Sequence, residues 1–167
     1  MVIYLVILFK INLMRKTCAI IASLLFLLSS CESEKELQFD AILNISYGTS
    51  FGMCMGYCKN DVVISEEKTL FTAQSFRDTS DNLSCEITTP LADWALLKEK
   101  INLNEMAKLP QTIGCPDCAD GGATYVSVLF ENGNEMRVSY EYGKPPKALE
   151  QIAQLLSKTL EIDNCTK

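Results

Sequence analysis

The sequence predicts an α+β fold: an antiparallel sheet of hairpins with two main helices packed on one of its faces. Three observations predict it. Residues 124–142 read "TYVSVLFENGNEMRVSYEY", and Asn-Gly between two alternating runs is the strongest short-range hairpin signal. Residues 61–65, "DVVIS", and 69–76, "TLFTAQSF", give a second pair of β-branched and aromatic runs around Glu66-Glu67-Lys68. Each pair is followed by an apolar stripe at helical spacing: Leu91, Trp94, Ala95, Leu97 and Ile101, then Leu149, Ile152, Ala153, Leu156 and Leu160. Strand runs with segregated helices indicate an α+β arrangement.

The elements follow in order. Residues 37–46, "LQFDAILNIS", alternate with Leu37, Phe39, Ala41, Leu43 and Ile45 on one face, which is strand periodicity. "YGTSFGMCMGYCKN" is rich in Gly, Ser and Asn and reads as a loop. The hairpin of residues 61–76 comes next, then a short strand, "LSCEIT", at 83–88. Thr89-Pro90 supplies an N-cap and a first-turn proline, so a helix spans 90–101. A short helical turn around Glu105–Leu109 ends at Pro110. After the loop "GCPDCADGG" comes the Asn-Gly hairpin. Gly143-Lys144-Pro145-Pro146 breaks the chain and opens the last helix, whose stripe reads as core. Cys54 to Cys115 is 61 positions and Cys58 to Cys118 is 60. This hints at a duplicated loop-ββα unit, although identity between the halves is negligible. At 167 residues the chain accommodates one domain, placed at 37–163.

The charge balance narrows the partners. From residue 31 onward there are 12 basic and 21 acidic residues, a net of −9. Nucleic acid demands a basic face, so it is not expected as a partner. There is no histidine, which excludes Ser-His-Asp and Cys-His nucleophile systems and His-ligated metals. No Gly-rich phosphate loop and no carboxylate dyad with catalytic context stands out, so the chain does not read as an enzyme and no cofactor is expected.

The front end carries an address. Arg15-Lys16 is a basic n-region and Cys18–Leu28 an apolar h-region too short to span a bilayer. Leu28-Ser29-Ser30-Cys31 resembles the bacterial lipoprotein signal, the lipobox. The resemblance implies cleavage before Cys31, with diacylglycerol on its sulfur and a further acyl chain on its amino group. Several acyl chains hold a protein on a membrane far more firmly than one. Residues 1–30 are thus a signal peptide. Met14 is the better start, since the basic pair would then follow the initiator directly, and residues 1–13 read as a mis-called start or an extended n-region. Residues 31–36 form a lipidated tether, and Glu32 after the cysteine favours the outer membrane, at its periplasmic face or the cell surface.

With Cys18 in the signal and Cys31 lipidated, six cysteines are left: Cys54, Cys58, Cys85, Cys115, Cys118 and Cys165. An even count in an exported domain reads as a disulfide framework. Local closure suggests Cys54–Cys58 and Cys115–Cys118, leaving Cys85–Cys165, while cross-pairing of the two loops would restrict the unfolded chain more. A second reading takes "CMGYC" and "CPDC" as four thiolate ligands of zinc. A third takes "CPDC" as a redox pair, although Asp117 and Asp120 crowd it and no helical run follows. Asp117, Asp120 and Gly121-Gly122 also offer oxygen ligands to calcium, but without EF-hand spacing.

Gly52 to Cys58, followed by a hairpin, together with "GCPDCADGG", is similar to a group of small bacterial envelope lipoproteins without an assigned activity. The similarity spans about residues 40–160, with Lys59 where that pattern has proline. It supports the fold and implies nothing catalytic. The expected role is therefore a membrane-anchored envelope lipoprotein, a non-enzymatic binding or accessory module. The alternative is a thiol-disulfide or zinc-handling protein using the two cysteine loops.

Overall fold

The structure is a computed structural model that describes residues 37–77 and 82–160. The signal sequence, Cys31, the tether and Cys165 lie outside the described residues. Seven strands form one mixed sheet: β1 (Ile42–Ser50), β2 (Lys59–Ile64), β3 (Lys68–Gln74), β4 (Leu83–Thr88), β5 (Thr112–Ile113), β6 (Ala123–Phe130) and β7 (Glu135–Glu141). Their spatial order is β4-β3-β2-β1-β6-β7-β5. Among the described residues three α-helices accompany it: α1 (Leu91–Lys100), α2 (Leu103–Ala107) and α3 (Glu150–Thr159).

Alternation builds the core. The ladder sets Tyr47 opposite Val62 and Val126, and Ile45 opposite Ile64 and Val128. Phe71 faces Val62, and Val138 faces Val126. Directly opposed residues project to the same side of a pleated sheet, so these apolar side chains share a face. They form one buried cluster with Trp94, Leu97 and Ile101 after β4, Met106 of α2, and Leu149, Ile152, Ala153 and Leu156 at the C-terminal end. Leu160 packs at the margin of that cluster. The 3.6-residue stripe of the last helix therefore meets the core, as its spacing predicts.

Five local expectations need correction. The sheet is mixed rather than purely antiparallel, because β5 pairs parallel to β7. A two-residue strand offers no alternation to read; its ladder is extended by the Ser139 N–H donating to the Gln111 carbonyl at 2.8 Å. The first strand begins at Ile42, not residue 37, and continues through Tyr47–Ser50, which composition alone assigns to a loop. A register shift between Ile42 and Asn44 breaks its alternation, so Leu43 is exposed while Ile45 is buried.

The remaining corrections concern helix ends. Pro90, not Thr89, occupies the N-cap of α1. The Thr89 hydroxyl is turned into the protein and shares a 2.8 Å hydrogen bond with Thr69. Leu91 and Ala95 of the α1 stripe are exposed, and its core contribution comes from Trp94 and Leu97, with Ile101 just beyond. The second helix starts at Leu103 and ends at Ala107. Its start is set by Asn102, whose Oδ1 accepts the Glu105 N–H at 3.1 Å, an N-cap missed in the sequence.

The Asn-Gly hairpin forms as its residues dictate. Gly133 takes φ +84°, where a side chain would be strained. Asn132 Oδ1 accepts the Asn134 N–H at 2.8 Å, and the Phe130 N–H donates to the Asn134 carbonyl at 2.9 Å.

Candidate functional site: two disulfide loops clasped at one end of the sheet

Antiparallel pairing brings the two cysteine loops together. Ser50 at the end of β1 opposes both Lys59 at the start of β2 and Ala123 at the start of β6. Ala123 in turn opposes Glu141 at the end of β7. The loop between β1 and β2 and the loop leading into β6 therefore emerge at the same end of the sheet. The first is closed by a Cys54–Cys58 disulfide, with Cα atoms 5.6 Å apart. The second is closed by Cys115–Cys118, with Cα atoms 5.5 Å apart. Both separations suit a disulfide.

Three contacts tie the loops into one tip. The Gly52 N–H donates to Asp117 Oδ1 at 3.1 Å across 65 residues of sequence. The Phe51 ring meets the Tyr142 ring edge-on at 4.7 Å. Gly122, at φ +79°, lies so close under Phe51 that a Cβ there would enter the ring. Within the first loop, the Phe51 N–H donates to the Cys58 carbonyl at 2.9 Å. Within the second, the Asp117 N–H donates to the Gly122 carbonyl at 3.0 Å, and that carbonyl also accepts the Tyr142 N–H at 3.1 Å.

The braced tip exposes apolar side chains. Met53 is 77% exposed, Met55 87% and Tyr142 49%. Long apolar side chains held out on a covalently closed loop are the kind of surface that partners recognise. The two disulfides differ in access. Cys58 is buried and Cys54 half-buried, whereas Cys115 and Cys118 are both exposed. The second loop is also conformationally costly: Asp117, Ala119 and Asp120 all have positive φ, at 62°, 51° and 59°.

Glu141 fastens the second loop to the sheet. Its Oε1 accepts the Cys115 N–H at 3.2 Å, and its Oε2 accepts Lys144 Nζ at 2.6 Å. The Lys144 hydrogen bond, then the Cys115 N–H, hold its carboxyl below the usual carboxylate value. A carboxyl with a depressed native pKa stabilises the fold above its unfolded value, and that stabilisation disappears as pH falls through the native one. Acidification from pH 5 to pH 3 is therefore expected to lower the melting temperature. Glu141→Gln should show a smaller decline over that window, measured by thermal unfolding across a pH series.

Sequence reasoning located all four loop cysteines. They form two pairs, Cys54 with Cys58 and Cys115 with Cys118. Cys85, on β4, is also disulfide-bonded. The carboxylate of Asp117 is committed to Gly52, and among the described residues no group of three or more Cys, Asp or Glu is placed to hold a metal. A short 3-10 turn, Cys118–Asp120, begins at the last cysteine of the CPDC motif, so the pair does not sit at the N-terminus of an α-helix. What the sequence left hidden is the clasp itself, because neither Gly52–Asp117 nor Phe51–Tyr142 has a local signature.

A groove of about 420 Å³ lies elsewhere, between β3, β4 and the two longer helices, with Phe71, Ile87, Leu96 and Leu155 on its walls and Asp93 and Lys158 also lining it. Its lining holds no cysteine and no pair of acidic side chains, so it offers less chemistry than the tip. No protein-family model matches the chain, and no curated protein sequence matches it either.

Proposed function

We propose that this chain is a membrane-anchored envelope lipoprotein, a non-enzymatic binding or accessory module that meets its partner through the double-disulfide tip. The observation that carries the reading is the pairing of covalent bracing with exposure. Met53 and Met55 stand on a loop closed by Cys54–Cys58, and that loop is clasped to a second closed loop through Gly52 and Asp117. A rigid loop loses less conformational freedom on binding, which favours recognition.

The anchor reading rests on Leu28-Ser29-Ser30-Cys31 and the basic pair before it. Acyl chains on Cys31 and the short acidic tether would hold the domain close to the outer membrane, at its periplasmic face or on the cell surface. We further read both longer helices as covering one face of the sheet. The shared core cluster of Trp94, Leu97, Ile152 and Leu156 with the strand residues supports this. A duplicated loop-ββα ancestry draws support from one parallel: a disulfide-closed loop precedes each hairpin, β2–β3 and β6–β7.

A photo-crosslinking residue at Met55, in the full-length protein in intact cells, tests the reading. The expected result is a discrete adduct from position 55, absent when the probe stands at Glu86 on β4. Cys31→Ser should move the protein out of the membrane fraction and abolish the adduct if the partner is membrane-resident. Equal adducts from positions 55 and 86 would contradict a binding tip.

A further inference from the structure

Two disulfides brace the tip, and they are built differently. Cys54–Cys58 keeps one sulfur-bearing residue in the interior, with Cys58 only 2% exposed. Its loop contains a single residue with strongly positive φ, Gly56, which tolerates it. Cys115–Cys118 exposes both cysteines; Asp117, inside the ring it closes, is left-handed at φ 62°, and Ala119 and Asp120 just beyond the ring are left-handed too. Aspartate visits that region readily; alanine does so at a cost of about 1–2 kcal/mol. The Asp117 side chain that clasps Gly52 lies inside the ring that this disulfide closes.

We propose that Cys115–Cys118 is an exchangeable disulfide: it accepts two electrons from a partner dithiol, and its opening releases the clasp between the two loops. The chemistry balances. One thiolate of the donor attacks an exposed sulfur and breaks the Sγ–Sγ bond, forming a mixed disulfide. The second donor thiol resolves it. The donor leaves as a disulfide, and Cys115 and Cys118 each gain a proton and become thiols. Access to the sulfurs is a condition of that attack, and here only the second loop meets it at both cysteines.

The acidic surroundings set the direction of the role. Asp117 and Asp120 flank Cys118 in the sequence, and neighbouring negative charge disfavours a thiolate. That makes Cys118 a poorer attacking group once reduced, which suits the receiving end of the exchange. Opening removes the ring constraint on Asp117, the left-handed residue between the two cysteines. Asp117 then leaves Gly52, and the loop presenting Met53 and Met55 loses its brace. This deepens the binding reading of the same tip and rests on it for the consequence of opening, not for the exchange itself.

The test is a redox titration of the oxidised full-length protein in dithiothreitol buffers, quenched with an alkylating agent and mapped by peptide mass. Cys115 and Cys118 should be labelled together at a dithiol-to-disulfide ratio at least tenfold lower than Cys54, Cys58 or Cys85. Amide exchange at Gly52 should accelerate in that first step, and Asp117→Ala should give the same acceleration with both disulfides intact. First opening of Cys54–Cys58, or no opening before global unfolding, would overturn the proposal. So would opening that leaves Gly52 exchange unchanged. Met55 crosslinking in the oxidised protein is read separately, so the exchange can fail while the binding tip stands, and the reverse.

Discussion

Trp94→Ala is expected to cost about 3–5 kcal/mol of unfolding free energy, measured by urea denaturation. Trp94 is 1% exposed and belongs to the cluster that joins α1 to the sheet. Removing the indole leaves a cavity walled by side chains from separate elements, which cannot collapse together to fill it. Its Nε1 has no hydrogen-bond partner among the described residues, which makes a second result informative. Trp94→Phe keeps most of the apolar volume and gives up no indole hydrogen bond. It should cost well under half as much as the alanine substitution. Lys98 Nζ lies 5.2 Å from the Trp94 ring centroid, but that contact is at the surface edge and is a minor contributor.

Gly48→Ala is the second large effect, at about 1–3 kcal/mol of lost stability. The sheet face opposite the core carries a polar layer built over this glycine. Gly48 opposes Asp61 on β2 and Tyr125 on β6. The Tyr125 hydroxyl donates to Asp61 Oδ1 at 2.6 Å, and Lys59 Nζ is 3.3 Å from the other Asp61 oxygen. The Arg137 guanidinium lies 3.6 Å above the Tyr125 ring centroid. A Cβ on Gly48 would collide with both the Tyr125 ring and the Asp61 carboxylate. Burial, followed by the bond to Asp61, pushes the Tyr125 phenol pKa up, so it stays a donor through the ordinary pH range. Because the Tyr125 ring makes up part of the clash, alongside the Asp61 carboxylate, Gly48→Ala should cost less in a Tyr125→Ala background. Equal costs in the two backgrounds, in chemical denaturation, would show that the ring does not lie over the glycine.

Legibility in the sequence followed the range of the interaction that fixes each feature. The β6–β7 hairpin was readable because Asn132-Gly133 encodes its own turn, and α3 because Leu149, Ile152, Ala153 and Leu156 repeat at helical spacing. The first strand was misplaced because Tyr47-Gly48-Thr49-Ser50 has turn-like composition. Tertiary pairing with β2 and β6 overrode that preference. Gly48 is there for the ring that covers it, not for a turn. Thr89 looked like a cap because it precedes proline, but its hydroxyl found Thr69 on the neighbouring strand. The cysteine loops were legible as disulfide loops from count and spacing, whereas their clasp depends on strand order. Sequence does not state that β6 inserts beside β1, and that adjacency alone puts Asp117 next to Gly52.

The central claim is that two locally closed loops make one tip, and a disulfide map tests it most directly. Non-reducing proteolysis of the full-length protein from an oxidising compartment, followed by peptide mass analysis, identifies each linked pair. The prediction is Cys54 with Cys58 and Cys115 with Cys118, with Cys85 joined to Cys165. Cleavage within "CMGYC" or "CPDC" should then leave the fragments of that loop linked only to each other. A peptide joining either of Cys54 and Cys58 to Cys115 or Cys118 would contradict the claim, because the loops would then be one covalent knot rather than two closed loops held by Asp117 and Gly52.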